Sequence, residues 1–181
     1  VRCYLRGELR TRFLLAWFMV PLEVQARLRG LIRSVRAVDE VKGTVLRLDS
    51  GSRVVLEEDA EAAFLCDSTA NPPRGWLLVG ERYARMPETV TISVFLHEIA
   101  HASYHLEDEI RASILPTARA EAAAWLQAAA WAAHGCLDHE CGLDVACYAM
   151  DQADRELNRW PPMTSGDVFG ALLGRFGEDA A

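Results

Sequence analysis

The sequence predicts an α+β fold, a small and mostly antiparallel sheet followed by helices, and two observations carry that reading. Between residues 44 and 79 the chain is cut into short β-branched runs separated by Gly, Pro, Asn, Asp and Ser. From residue 88 onward apolar residues recur at helical spacing, with few breaks before Pro161-Pro162. Strands grouped first and helices grouped later do not alternate as a βαβ chain would, which favours α+β over a doubly wound parallel sheet.

The elements follow in order. Phe13 to Val20 is an apolar run ended by Pro21, much shorter than the ~20 residues that a membrane-spanning helix needs. Arginines before it and Val24-Gln25-Ala26 after it faintly imitate a secretory signal, but Glu23 is badly placed for one. Pro21 can open a helix, because the N–H it lacks would be unpaired there. Leu22, Ala26, Leu28, Leu31, Ile32 and Val35 then repeat at helical spacing with arginines opposite, which predicts an amphipathic helix of about four turns. The N-terminal helical segment is thus expected over about 1–37.

Thr44 to Leu48 and Arg53 to Leu56 flank Asp49-Ser50-Gly51-Ser52 and predict a β-hairpin. Ala63 to Cys66 and Trp76 to Val79 predict two more strands, divided by Asn71-Pro72-Pro73-Arg74-Gly75. Met86-Pro87-Glu88-Thr89 supplies a helix start, with an acid at the positive end of the dipole. Val90 to Val94 is β-branched and could locally be a strand. The helical period decides against that: Ile92, Phe95, Ile99, Ala102 and Leu106 share one side, while His97, His101 and His105 share the opposite side, away from the packed stripe. Further helices are expected from Ala118 to His134, capped by Thr117 and closed by Gly135, from Leu143 to Arg159, and from Gly166 to Phe176. The C-terminal helices thus fall within about 142–177, and the whole chain, 1–181, is expected to form a single domain.

The bulk numbers narrow the partners. A formal charge of −7 and a pI near 5.2 give no overall attraction to nucleic acid or anionic lipid, although Arg2, Arg6, Arg10, Arg12, Arg27, Arg29, Arg33 and Arg36 make the first forty residues basic. Five cysteines, an odd number, read as reduced thiols and so as a cytoplasmic setting. Neither membrane nor nucleic acid is expected as a partner.

His97-Glu98-Ile99-Ala100-His101 is the stretch that specifies chemistry, since it fits H-E-x-x-H. Two imidazoles four residues apart on a helix converge on one metal ion and leave Glu98 beside the open position. A catalytic Zn²⁺ takes a third protein ligand, for which three residues compete. Glu107 stands ten residues after His97, as in metzincins, but Tyr104 occupies the place of their turn glycine and no Met-turn follows. His105 continues the histidine face, yet three ligands along a straight helix span about 12 Å. Glu121 falls in the first turn of the next expected helix and is favoured.

Glu121 so placed resembles the gluzincin arrangement, and the order of strands, H-E-x-x-H helix and Glu121-Ala122-Ala123-Ala124-Trp125 is loosely similar to the ImmA/IrrE type of compact bacterial metallopeptidase. The likeness covers about residues 44–134; the spacing before Glu121 is shorter than the ImmA/IrrE pattern and no Asn follows Ala124. The resemblance implies a zincin-like fold, a Zn²⁺ held by His97, His101 and Glu121, and a metallopeptidase acting on a protein or peptide substrate, such as a regulatory protein. Zinc would activate water and Glu98 would serve as general base. Tyr83, Tyr104, His134, His139 and Tyr148 all remain candidates to stabilise the oxyanion. A non-catalytic regulatory or protein-binding module, with the arginine-rich first helix as its contact surface, is the competing expectation. His134, Cys136, His139 and Cys141 form a second cluster, expected as thiols ahead of a disulfide or a structural metal site.

Overall fold

The computed structural model describes residues 1–48, 51–56, 60–67, 69–107, 117–135 and 139–158. It opens with β1 (Arg2–Cys3), α1 (Gly7–Met19), α2 (Leu22–Leu31) and β2 (Ile32–Val38). The hairpin strands β3 (Val45–Arg47) and β4 (Arg53–Val55), then β5 (Ala62–Asp67) and β6 (Arg74–Gly80), lead through a 3₁₀ turn (Glu81–Arg85) into α3 (Glu88–Glu107). Helices α4 (Thr117–Gly135) and α5 (His139–Asn158) follow. The α+β class holds.

The sheet differs from the expected one. Its order is β1-β2-β6-β5, with β2 parallel to both β1 and β6 and only β5 antiparallel to β6. The main sheet is therefore mixed rather than mostly antiparallel, and the hairpin β3-β4 stands as a separate antiparallel pair. The reason lies in residues 32–38. Ile32 and Val35 fit a helical repeat after Leu28 and Leu31, but α2 stops at Leu31 and the chain becomes an interior strand, with Ser34 opposite Trp76 and Val35 opposite Leu77. Period alone cannot see a distant partner strand, and a β-branched segment with neighbours on both sides gains more from the ladder than from another helical turn.

Alternation across β5 and β6 separates two cores. Leu77 and Val79 face the helices, joining Phe13, Ile32, Val35, Ile92, Phe95, Leu96 and Ile99, with Phe64 packed against them. Trp76 and Leu78 face the other way, joining Val41, Leu46 and Leu56 of the hairpin region, with Ala63 and Leu65 beside them. Both faces of the sheet are thus covered, and α3 lies across the helical one.

Close approaches fix the helices. A Cβ at Gly135 would run into the Met19 carbonyl, so glycine lets the end of α4 dock on the end of α1. Arg12, nearly buried in α1, donates to the carbonyls of Tyr83 (3.0 Å) and Met86 (2.9 Å) and to Thr91 Oγ1 (3.3 Å). The Thr91 N–H bonds the Pro87 carbonyl at 3.2 Å. The entry to α3 is therefore held from both sides, which overrides the strand preference of Val90 to Val94. Helix α5 begins about a turn before the expected Leu143 and ends at Asn158, one residue short of the expected end. The expected helix from Gly166 to Phe176 lies outside the described residues.

Candidate metal centre

Two helices build the site. On α3, His97 and His101 project from adjacent turns of one face, with ring centroids 4.5 Å apart. Helix α4 lays its first turns alongside, placing Glu121 against both: Glu121 Oε2 lies 3.0 Å from His97 Nε2, and Glu121 Oε1 lies 3.3 Å from His101 Nε2. The two Nε2 atoms are 3.1 Å apart. The three side chains form the metal-capable cluster found among the described residues.

The distances fit a shared ion. Ligands about 2.0–2.1 Å from a tetrahedral zinc stand roughly 3.4 Å from one another, close to the three separations here. Two imidazole nitrogens and a carboxylate oxygen are a donor set suited to Zn²⁺ and to neighbouring divalent transition metals. One detail departs from the usual pattern. A ligating histidine ordinarily donates its other ring N–H to a partner, whereas the buried His97 Nδ1 has no hydrogen-bond partner among the described residues. The indole of Trp125, one turn after Glu121, stacks on His97 instead, with centroids 3.9 Å apart and planes 22° from parallel. Ring orientation is held here by packing.

The histidine face is covered, contrary to an outward-facing stripe. His97 is 5% exposed and Glu98 6%, because α4 and β5 close over α3 on the side opposite its apolar stripe. Burial pushes the Glu98 carboxyl up from its ordinary value; His97 and His101 pull it down, Glu121 pushes it up, and the Phe64 backbone N–H lowers it by a hydrogen bond. For His101, burial favours the neutral ring, yet the hydrogen bond to Glu121 and the charges of Glu98 and Glu121 outweigh it and raise its pKa. Glu121 is likewise opposed by burial, but the hydrogen bonds from His101 and His97 hold its carboxyl well below the carboxylate range. The cluster is one coupled unit of acid, base and two imidazoles.

The Phe64 contact brings the sheet into the site. Phe64 lies on β5, and a Cβ on Gly75 of β6 would collide with its ring and with the Leu65 carbonyl, so glycine at 75 lets β5 settle where it meets Glu98. Among the described residues β5 has a strand on one side only. Sequence reasoning missed this backbone donor, which no side-chain pattern encodes, and missed the stacking role of Trp125, although it marked that residue as an aromatic one turn after Glu121.

His105 and Glu107 fall in α3, but their side chains lie outside the described residues, as do Cys136 and the side chain of His139. The four-residue His/Cys cluster thus lies partly outside the described residues; His134 and Cys147 are exposed and Cys141 is half-buried. Tyr104 donates to the Ala123 carbonyl (2.9 Å) and Tyr83 to Glu61 Oε2 (2.6 Å), so both hydroxyls are engaged. A surface hollow lined by Val38, Asp39, Glu40, Lys42 and Glu81 lies elsewhere and holds none of these groups. No helix among the described residues is long and apolar enough to cross a membrane. No protein-family model, curated protein or solved structure matches the chain.

Proposed function

We propose that this protein is a zinc-dependent metallopeptidase with a zincin-like arrangement, in which His97, His101 and Glu121 hold Zn²⁺ and Glu98 is the general base. The observation that carries the reading is the mutual spacing of the three ligand atoms, 3.0 to 3.3 Å, with the buried Glu98 next in sequence to His97. The ion supplies Lewis-acid activation of water and of the carbonyl. Glu98, its pKa raised by burial, accepts a proton from water as the water oxygen bonds the carbonyl carbon, then returns it to the amine as the C–N bond breaks. Among the described residues β5 is the end strand of its sheet and lies beside Glu98, which supports an extended peptide as substrate, because a peptide can add to a sheet edge as one more strand.

Elemental analysis of protein loaded with zinc should give one Zn²⁺ per chain, lost in Glu121→Ala. On fluorescein-labelled casein, Glu98→Gln should abolish cleavage while zinc stays bound. Cleavage that survives Glu98→Gln would remove the general-base role, and zinc retained in Glu121→Ala would remove the triad.

A second reading, a non-catalytic protein-binding module, draws on a different surface. Leu14, Leu15 and Phe18 lie along one exposed stripe of α1 and Leu22 opens α2, with Phe18 68% and Leu22 77% exposed. Arg10 sits one turn before Leu14, and Arg29 is exposed on α2. That reading expects binding to persist unchanged in Glu98→Gln.

A further inference from the structure

The hydrolysis proposed above needs a hydrogen-bond donor for the carbonyl oxygen as it gains negative charge, and the sequence leaves five side chains eligible. The fold separates them. Tyr104 is committed to the Ala123 carbonyl, where it ties α3 to α4. Tyr83 is committed to Glu61, which also pairs with Arg82. His134 is exposed near the far end of α4, thirteen residues beyond Glu121 and so about 20 Å along the axis. His139 opens α5, nine residues before Tyr148, about 13 Å along that helix. Neither histidine shares the end of the helix pair that holds Glu121.

Tyr148 does. Its ring meets the indole of Trp125 edge-on, at 6.3 Å and 74°, and the opposite contact of that indole is the stack on His97. Tyr83 lies within electrostatic range of both Glu98 and Tyr148. The Tyr148 hydroxyl makes no hydrogen bond among the described residues, and the side chain is only half-buried, so part of it borders solvent. Partial burial raises the phenol above its ordinary 10.0, which keeps its proton on at neutral pH.

We infer that Tyr148 is a catalytic residue of this site: its hydroxyl donates to the substrate carbonyl oxygen in the tetrahedral state, while its ring braces Trp125 against His97. The assignment rests on the peptidase reading. It gives the Trp125 stack a second use, since one indole positions both a metal ligand and the donor. Tyr148→Phe keeps the ring and removes only the hydroxyl, so it separates these two roles.

The test uses the full chain loaded with zinc. Tyr148→Phe should lower kcat/KM on fluorescein-casein by about 10²–10³-fold through kcat, with KM, zinc stoichiometry and thermal midpoint unchanged. Affinity for an N-phosphoryl dipeptide, a tetrahedral mimic measured by calorimetry, should fall in the same variant, whereas affinity for the plain dipeptide should not. A kcat within twofold of wild type, unchanged affinity for the mimic, or loss of zinc from Tyr148→Phe would each overturn the assignment. Cleavage lost in Glu98→Gln but intact in Tyr148→Phe removes this assignment alone. A wild-type protein that binds zinc and cleaves nothing removes the peptidase reading, and the assignment with it.

Discussion

Residues 22–35 and 92–102 carry the same kind of apolar repeat, and the fold treats them oppositely. In the second segment Ile92, Phe95, Ile99 and Ala102 are completely buried on one continuous helix, despite the β-branched run from Val90 to Val94. In the first, the helix ends at Leu31 and the repeat continues as an interior strand. Local periodicity points the same way in both, toward helix, so the difference comes from what each segment packs against. Residues 32–38 are enclosed between β1 and β6, which offer backbone partners on two sides. Helix α3 is enclosed by α1, α4, α5 and one face of the sheet, which offer side chains and no ladder. Enclosure by helices demands that the backbone satisfy itself, and only a helix does so.

The segments also differ in what they bury. Helix α3 buries two titratable side chains, His97 and Glu98, whereas the buried polar residues of 22–38 are Gln25 and Ser34, neither of which ionises. Chemistry and strain on stability should therefore concentrate in α3. The largest expected effect comes from removing the clamp at its entry. Arg12→Met would take the guanidinium donor from the Met86 carbonyl and leave the Tyr83 carbonyl with the Thr91 hydroxyl alone, and should cost roughly 3 kcal/mol, read as a lower urea midpoint with an unchanged slope. A loss under ~0.5 kcal/mol would show that α3 holds its start without α1.

A smaller effect should appear as pH dependence, in metal-free protein. His101 has a raised pKa, so its stabilisation is complete below the ordinary histidine value of 6.5 and fades as pH rises through the folded value. Glu121 has a lowered pKa, so its share is complete above 4.5 and is lost only as pH falls through the folded value. Glu98 has a raised pKa, and its burial costs stability once pH rises above 4.5. The contribution of this cluster should therefore peak in the mildly acidic range between 4.5 and 6.5. Thermal midpoints followed across pH should show that peak in wild type and a flatter profile in Glu121→Gln; equal profiles would place the dependence outside α3.

The smallest effect lies in the other segment. Ser34 is 1% exposed on β2 and its Oγ has no hydrogen-bond partner among the described residues. Removing an unsatisfied buried hydroxyl should help, so Ser34→Ala should stabilise by about 0.5–1 kcal/mol without changing pH dependence or zinc stoichiometry. Destabilisation of that size would mean that the hydroxyl has a use on this strand.

Much of the site was legible before any coordinates. The i, i+4 spacing of His97 and His101 is a covalent fact about a helix, and Glu121 in the first turn of the next helix needed only that α4 pack alongside. The sheet was less legible. Its hairpin depends on a local turn and was foreseen, but the parallel pairing of β2 with β6 joins residues about forty positions apart, and no local pattern announces it. The burial of the histidine face was missed for the same reason: Phe64 and Trp125 cover it from other elements.

The sequence by itself determined the α+β class, the helix that carries His97, Glu98 and His101, and the residue types able to hold a metal, because these follow from periodicity and side-chain chemistry. Only the tertiary structure decided that residues 32–38 are strand, that β5 reaches Glu98 through a backbone N–H, and that Trp125 links His97 to Tyr148. Those are relations between segments distant along the chain, and they are settled by burial and by the need of every enclosed backbone group for a partner.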